Sequence, residues 1–237
     1  CLISFCISIS FKQSYIHLSE LSRLLSIFFY LFLKVISRLH YLTQDVHNIS
    51  HQELAEIACK NGIRWIQLRV KNQSYDGWLQ IAKDVKSICD QFQTTLIIND
   101  NVEICKAINA DGVHLGKNDL SIIKTRKILG TKKIIGATAN TLEDITEHEK
   151  NGANYIGLGP YKFTETKKNL SAVLGLDGYS TILQHYNSSI PIIAIGGIQL
   201  KDVKPLINLG FYGIAVSSAI NLSNEKEKTI KEFIQLV

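Results

Sequence analysis

From Leu39 onward the chain alternates short, continuous apolar runs with longer stretches whose apolar positions recur every three or four residues. The first kind reads as buried parallel strands and the second as amphipathic helices packed over them. In order, the pattern predicts strands at Leu39–Thr43, Trp65–Arg69, Thr95–Asn99, Gly112–Leu115, Lys133–Ala137, Tyr155–Leu158, Pro191–Ile195 and Gly213–Val216. Helices are expected between them. The first opens on Ser50, with Glu53 three residues on as a capping box, and closes at Asn61-Gly62. Others run over Asp76–Phe92, briefly up to Asn109, then Ser121–Leu129 (stopped by Gly130), Leu142–Lys150, Asp177–Tyr186, Lys201–Leu209 and Asn224–Leu236. Eight such units in about 200 residues match one (β/α)8 TIM barrel. An open doubly wound sheet is the alternative, but it usually needs fewer strands and a switch-point crevice. No linker divides the chain after Arg38, so residues 38–237 are expected to form a single barrel domain.

Short polar clusters follow most of the apolar runs: Gln67-Leu68-Arg69-Val70-Lys71, Asn99-Asp100, Lys117-Asn118-Asp119, Thr164-Glu165-Thr166-Lys167, Gly196-Gly197 and Ser217-Ser218. In a closed barrel the C-terminal ends of the strands converge on one mouth, where active sites sit. Strand alternation puts Gln67, Arg69 and Lys71 on one face and Ile66, Leu68 and Val70 on the other. Two cations aimed into a barrel mouth cost several kcal/mol each, roughly, unless an anion compensates. A solvated edge with Arg69 paired to a carboxylate is the plainer alternative. Asp100 and Asp119 follow neighbouring strands. Singly, each reads as a helix N-cap; together, facing Arg69 and Lys71, they suit Mg²⁺ held by two carboxylates, waters and phosphate oxygens. Thr164, Thr166 and Lys167 lie in the one long loop and form either a phosphate clasp or a solvated turn. Gly197 after strand seven and Ser217-Ser218 after strand eight stand where barrels bind phosphate through bare backbone N–H groups. His114, on an apolar strand, reads as a structural histidine with no catalytic role. No zinc spacing, Walker loop or locally supported Ser/His/Asp set is present. The chemistry points to a magnesium-bound diphosphate and a second phosphate.

Composition narrows the class without choosing a function. A net charge of +5 with scattered lysines gives no nucleic-acid stripe. Five cysteines at irregular spacing read as reduced thiols of a cytoplasmic protein. The run from Leu24 to Leu33 is apolar and bracketed by Arg23 and Lys34, but falls short of the roughly 20 residues of a membrane helix. Residues 1–37 are expected to be a non-barrel extension, translated upstream sequence that the working protein lacks. An interfacial anchor and a signal-peptide core are the other readings, in that order. The chain begins at Cys1 and contains no methionine.

Taken together, the segments Gln67–Lys71, Ile98-Asn99-Asp100, Ala110–Gly116, Gly157–Pro160, Thr164–Lys168, Ala194–Ile198 and Val216–Ile220 resemble the thiamine-phosphate synthase family, in its order and loop positions, from about Arg38 to the C-terminus. That family joins a pyrimidine methyl diphosphate to a thiazole phosphate, releasing pyrophosphate. The resemblance implies that Gln67, Arg69, Lys71, Asn99, Thr138 and Lys167 hold the pyrimidine diphosphate. It implies that Asp100 and Asp119 bind Mg²⁺, and that Thr164, Thr166, Gly197, Ser217 and Ser218 hold the thiazole phosphate. Arg69, Lys71 and Lys167 would be the catalytic cations. Thr138 stands where the family commonly has serine. Asn140 stands where a histidine is common, which in related thiazole tautomerases looks like the acid–base group. Small-molecule substrates are the expected partners, with no nucleic acid and no membrane, and a homo-oligomer is allowed for. A tautomerase-like phosphate-binding barrel and a non-catalytic membrane-tethered binding protein are the competing readings.

Overall fold

The computed structural model describes residues 36–164 and 171–237. The expected N-terminal extension up to Val35 and the Thr166 and Lys167 positions lie outside the described residues. Strands β1 (Leu39–Leu42), β2 (Trp65–Leu68), β3 (Thr95–Asn99), β4 (Gly112–Leu115), β5 (Ile134–Ala139), β6 (Tyr155–Leu158), β7 (Ile192–Ile195) and β8 (Gly213–Val216) pair in sequence order, all in parallel. β1 closes on β8, with Leu39 opposite Ile214 and Tyr41 opposite Val216. The expected TIM barrel is therefore the fold. Helices α1 (His51–Lys60), α2 (Tyr75–Gln91), α3 (Val102–Ala107), α4 (Ile122–Leu129), α5 (Leu142–Lys150), α6 (Gly175–His185), α7 (Leu200–Asn208), α8 (Ser218–Asn221) and α9 (Lys226–Leu236) complete the units.

Local chemistry sets the boundaries. Ser50 and Glu53 form the expected capping box on α1, and Gly62 takes φ +98° just past its end. Asn101 and Ser121 cap α3 and α4, each accepting the backbone N–H three residues on. β5 runs two residues further than its apolar pattern suggests, which brings Thr138 into the strand. The short α8 was not legible in the pattern, because a single turn leaves no periodicity to read.

Two separate hydrophobic sets hold the barrel. The larger lies between strands and helices and includes Leu68, Val70, Leu96, Ile98, Ile156 and Ile214. The smaller fills the barrel interior, with Ile36, Leu42, Trp65, Ile97, Ile134, Tyr155, Ile193 and Ala215. Alternation thus assigns each strand residue to one side. Inside, His40 stacks on Trp65 at 4.3 Å between ring centroids, and Tyr155 meets both edge-on. Gly136 makes room for this packing: a Cβ there would lie 2.1 Å from the Tyr155 ring. This aromatic plug fills the barrel interior, and buried Gln67 and Asn99 follow it toward the C-terminal ends of their strands.

Candidate active site

The strand tips carry the polar set in layers. Gln67 and Asn99 project into the barrel from neighbouring strands, both buried, and the Gln67 amide donates to Asn99 Oδ1 at 2.8 Å. The Gln67–Arg69–Lys71 alternation persists beyond the end of β2, since Val70 is buried on the helix side. Arg69 is half-buried. Burial pulls its guanidinium below the ordinary arginine value, while Asp100 and Asp45 act in the opposite direction. Arg69 is thus partly withdrawn from solvent and has carboxylates beside it, as the plainer alternative also expects.

Lys71 Nζ donates to Asp100 Oδ2 at 2.8 Å, and the Asp100 carboxyl in turn meets that of Asp119. Neither aspartate is the N-cap of the helix it precedes; Asn101 and Ser121 take those roles. Asp119 instead accepts the Gly116 backbone N–H at 2.6 Å, which folds the β4–α4 turn back on itself. Burial pushes the Asp119 carboxyl up to about 6; the Gly116 N–H opposes this, and the Asp100 charge and hydrogen bond add to it. Lys71 is the cation beside this pair, and its charge draws the Asp119 value part of the way back down. Among the described residues no cluster of three or more His, Cys, Asp or Glu side chains forms. Two carboxylates that leave the remaining positions to water and phosphate oxygens fit a magnesium ion, which dehydrates reluctantly.

Thr138 lies at the tip of β5, and its hydroxyl meets His114 Nε2 at 3.0 Å. His114 Nδ1 meets the Tyr155 hydroxyl, also at 3.0 Å. His114 thus has both ring nitrogens partnered, and it ties the Thr138 hydroxyl to the barrel interior. Tyr155 was missed as a contributor, because a tyrosine opening an apolar run reads as core. Asn140 donates to the Gly159 carbonyl and accepts from Ser171 Oγ at 2.8 Å, so it joins the two arms of the long β6–α6 loop.

On the opposite rim, Gly197 takes φ +66°, in the left-handed region. A Cβ there would lie 3.0 Å from both Lys162 Cβ and the Phe163 carbonyl. The loop segment preceding Thr164 therefore packs against Gly197. Ser217 donates to Gln44 Oε1 at 3.0 Å, and Asn221 Nδ2 donates to the Ser217 carbonyl and hydroxyl oxygens. Ser218 opens α8. Gln44 was also missed; it stands two residues past the end of β1, with no motif to mark it. The described site residues therefore fall into a cationic and carboxylate group over β2–β4 and a glycine and hydroxyl group over β6–β8.

Comparison with known proteins places the chain in a family. A family model described as thiamine monophosphate synthase matches residues 40–220. A thiamine-phosphate synthase of Flavobacterium johnsoniae is 48% identical over 203 residues, covering 84% of this chain and 93% of that protein. One from Bacteroides fragilis is 42% identical over 201 residues, covering 84% and 98%. The solved thiamine phosphate pyrophosphorylase of Pyrococcus furiosus superposes with a TM-score of 0.75 at 31% identity, covering 84% of this chain and 94% of that one. With a family model over most of its length and relatives at this identity and coverage, the chain belongs to the thiamine monophosphate synthase family of enzymes.

Proposed function

We propose that this enzyme condenses 4-amino-2-methyl-5-(diphosphooxymethyl)pyrimidine with a thiazole phosphate to give thiamine monophosphate and pyrophosphate. The observation that carries the reading is the placement of Lys71 against the Asp100–Asp119 pair beside half-buried Arg69, across the mouth from Gly197 and Ser217-Ser218. One group suits a diphosphate with its metal, and the other suits a monoester.

The chain's own residues divide the work by charge. Arg69 and Lys71 bind the diphosphate, and Lys167 joins them from the long loop. Their charges stabilise the pyrophosphate as the C–O bond breaks, because they are already oriented where negative charge grows. Asp100 and Asp119 would hold Mg²⁺, which would supply further neutralisation of the departing anion. Gln67, Asn99 and Thr138 orient the pyrimidine diphosphate, and Thr138 is itself oriented by His114. The departing group leaves a pyrimidine methylene cation, which the aminopyrimidine ring stabilises. Gly197, Ser217 and Ser218, with Thr164 and Thr166, hold the thiazole phosphate so that its ring nitrogen attacks that carbon. No protein base has to remove a proton, so catalysis rests on positioning and electrostatics. A cytoplasmic location suits this chemistry and the buried free thiols of Cys59, Cys89 and Cys105; among the described residues no helix is long and apolar enough to cross a membrane.

The test is direct. Purified protein incubated with both phosphorylated heterocycles and Mg²⁺ should yield thiamine monophosphate and pyrophosphate in equal amounts. Rearrangement of the thiazole phosphate alone, with no coupled product, would sink the assignment.

A further inference from the structure

The parallel ladder between β1 and β2 does not stop where β1 stops; it changes its chemistry. Thr43 N–H donates to the Gln67 carbonyl at 3.1 Å, continuing the ladder one step past Leu42. The next two acceptors on the β1 side would ordinarily be main-chain carbonyls of residues 43 and 45. Side chains of the same residues take their place. Arg69 N–H donates to Thr43 Oγ1 at 3.2 Å, and Lys71 N–H donates to Asp45 Oδ2 at 3.1 Å. One histidine links these two acceptors. His51, the first residue of α1 and buried, meets Thr43 Oγ1 through Nδ1 and Asp45 Oδ1 through Nε2, both at 2.9 Å.

One set of donor directions satisfies all four contacts. Asp45 as a carboxylate accepts from His51 Nε2–H and from Lys71 N–H. His51 Nδ1 then accepts the Thr43 hydroxyl proton, and Thr43 Oγ1 accepts from Arg69 N–H. Alternate residues of an extended chain point their side chains the same way. Fixing the amides of 69 and 71 from one edge therefore fixes the direction of both cationic side chains. Asp45 also faces the Arg69 guanidinium as a counter-charge.

We infer that Thr43, Asp45 and His51 are positioning residues for the diphosphate site: they extend β2 by side-chain hydrogen bonds and so aim Arg69 and Lys71 into the mouth. The inference rests on the proposed function insofar as those two cations hold the pyrimidine diphosphate. A merely structural role would lower stability and weaken both substrates alike. A positioning role acts on one substrate.

The experiment compares the full chain with Thr43→Val, Thr43→Ser and Asp45→Ala. For Thr43→Val and Asp45→Ala, KM for the pyrimidine diphosphate should rise about tenfold, the scale of one lost hydrogen bond to a charged site, with KM for the thiazole phosphate unchanged. Thr43→Ser keeps the hydroxyl and should restore the wild-type value. Affinity for inorganic pyrophosphate with Mg²⁺, measured by calorimetry, should fall by the same factor, and this readout does not depend on turnover. Amide hydrogen exchange should quicken at Arg69 in Thr43→Val and at Lys71 in Asp45→Ala. Should a variant fail to fold, the Thr43→Ser and wild-type comparison of exchange at Arg69 still decides, because loss of protection in a hydroxyl-retaining variant contradicts the assigned bond. Equal KM changes for both substrates, or unaltered pyrophosphate affinity, would overturn the inference. Absence of thiamine monophosphate from wild type would count against the function, while the pyrophosphate and exchange measurements would still judge the positioning role.

Discussion

Asp100 holds φ at +67°, in the left-handed region that aspartate and asparagine enter more readily than other non-glycine residues. The turn takes the chain from β3 into α3 within two residues and leaves Asn101 to cap the helix. This separates charge from backbone in a mutational test. Asp100→Asn keeps shape and conformational tolerance and removes the charge that Lys71 and Asp119 face. Its unfolding midpoint should stay near wild type, while Mg²⁺-dependent turnover falls by about a hundredfold or more, the scale of losing one preorganised electrostatic group. Asp100→Ala should lose the same activity and, in addition, about 1 kcal/mol of stability from forcing alanine into the left-handed region. Thermal melts and initial rates across a magnesium titration check both, and near-normal rates for Asp100→Asn at limiting Mg²⁺ would refute the metal assignment. At this scale the sequence exposed residue types but not their commitments. Asp100 and Asp119 each precede a helix and could each have been a cap; only the caps at Asn101 and Ser121 release them.

Strands were the most legible elements because each is a short, continuous apolar run bounded by turn residues, and a parallel strand buried on both faces leaves that trace. What alternation could not give was the partner of each inward polar group, since Gln67 and Asn99 on neighbouring strands, or His114 and Tyr155 on strands separated by β5, are distant in sequence and meet only inside the closed barrel. The turn of α8 and the side-chain extension of β2 were hidden for the same reason: neither has a period. The β6–α6 loop poses a question that belongs to this scale. Its arms are tied by Leu174 N–H to the Pro160 carbonyl, Gly175 N–H to the Tyr161 carbonyl, and Asn140 between Gly159 and Ser171. Asn140→Ala removes the side-chain tie and leaves the backbone bonds in place. Amide exchange at Leu174 and Gly175 should quicken by about tenfold, as expected for one lost hydrogen bond. KM for the thiazole phosphate should rise with it, since Thr164 lies on one of the tied arms. Unchanged exchange would show that the main-chain bonds alone hold the loop.

Over the whole molecule, the aromatic plug and the candidate site occupy different ends of one barrel, and a buried group in one and a half-buried group in the other respond oppositely to acid. His40 sits in the aromatic plug between Trp65 and Tyr155, with no hydrogen-bond partner for Nε2 among the described residues. Burial lowers its pKa from 6.5 to about 3; the neighbouring His114 adds to the shift, and the Ser37 backbone opposes it. The folded state therefore refuses a proton that the unfolded chain accepts. Stability from this group is complete above pH 6.5 and is lost as the pH falls toward 3, at about 1.4 kcal/mol per pH unit. Asp119 has the reverse sign. Its carboxyl is raised from 3.8 to about 6, so the metal-free folded state binds a proton first and gains stability as the pH falls from about 6 toward 4. The two effects partly cancel in the intact protein, and a flat pH profile would conceal both. His40→Phe preserves an aromatic ring for Trp65 and removes the titrating group. Urea unfolding in chelator at pH 7, 6 and 5 should then show the variant gaining on wild type by about 2 kcal/mol at pH 5 relative to pH 7, from the single proton that His40 no longer refuses. Saturating Mg²⁺ should remove the acid-side gain that remains in the variant, because a metal ion favours the ionised Asp119 carboxylate. Parallel stability profiles for the two proteins would mean that the plug accommodates a charged His40, and that this end of the barrel is more polar than its packing implies.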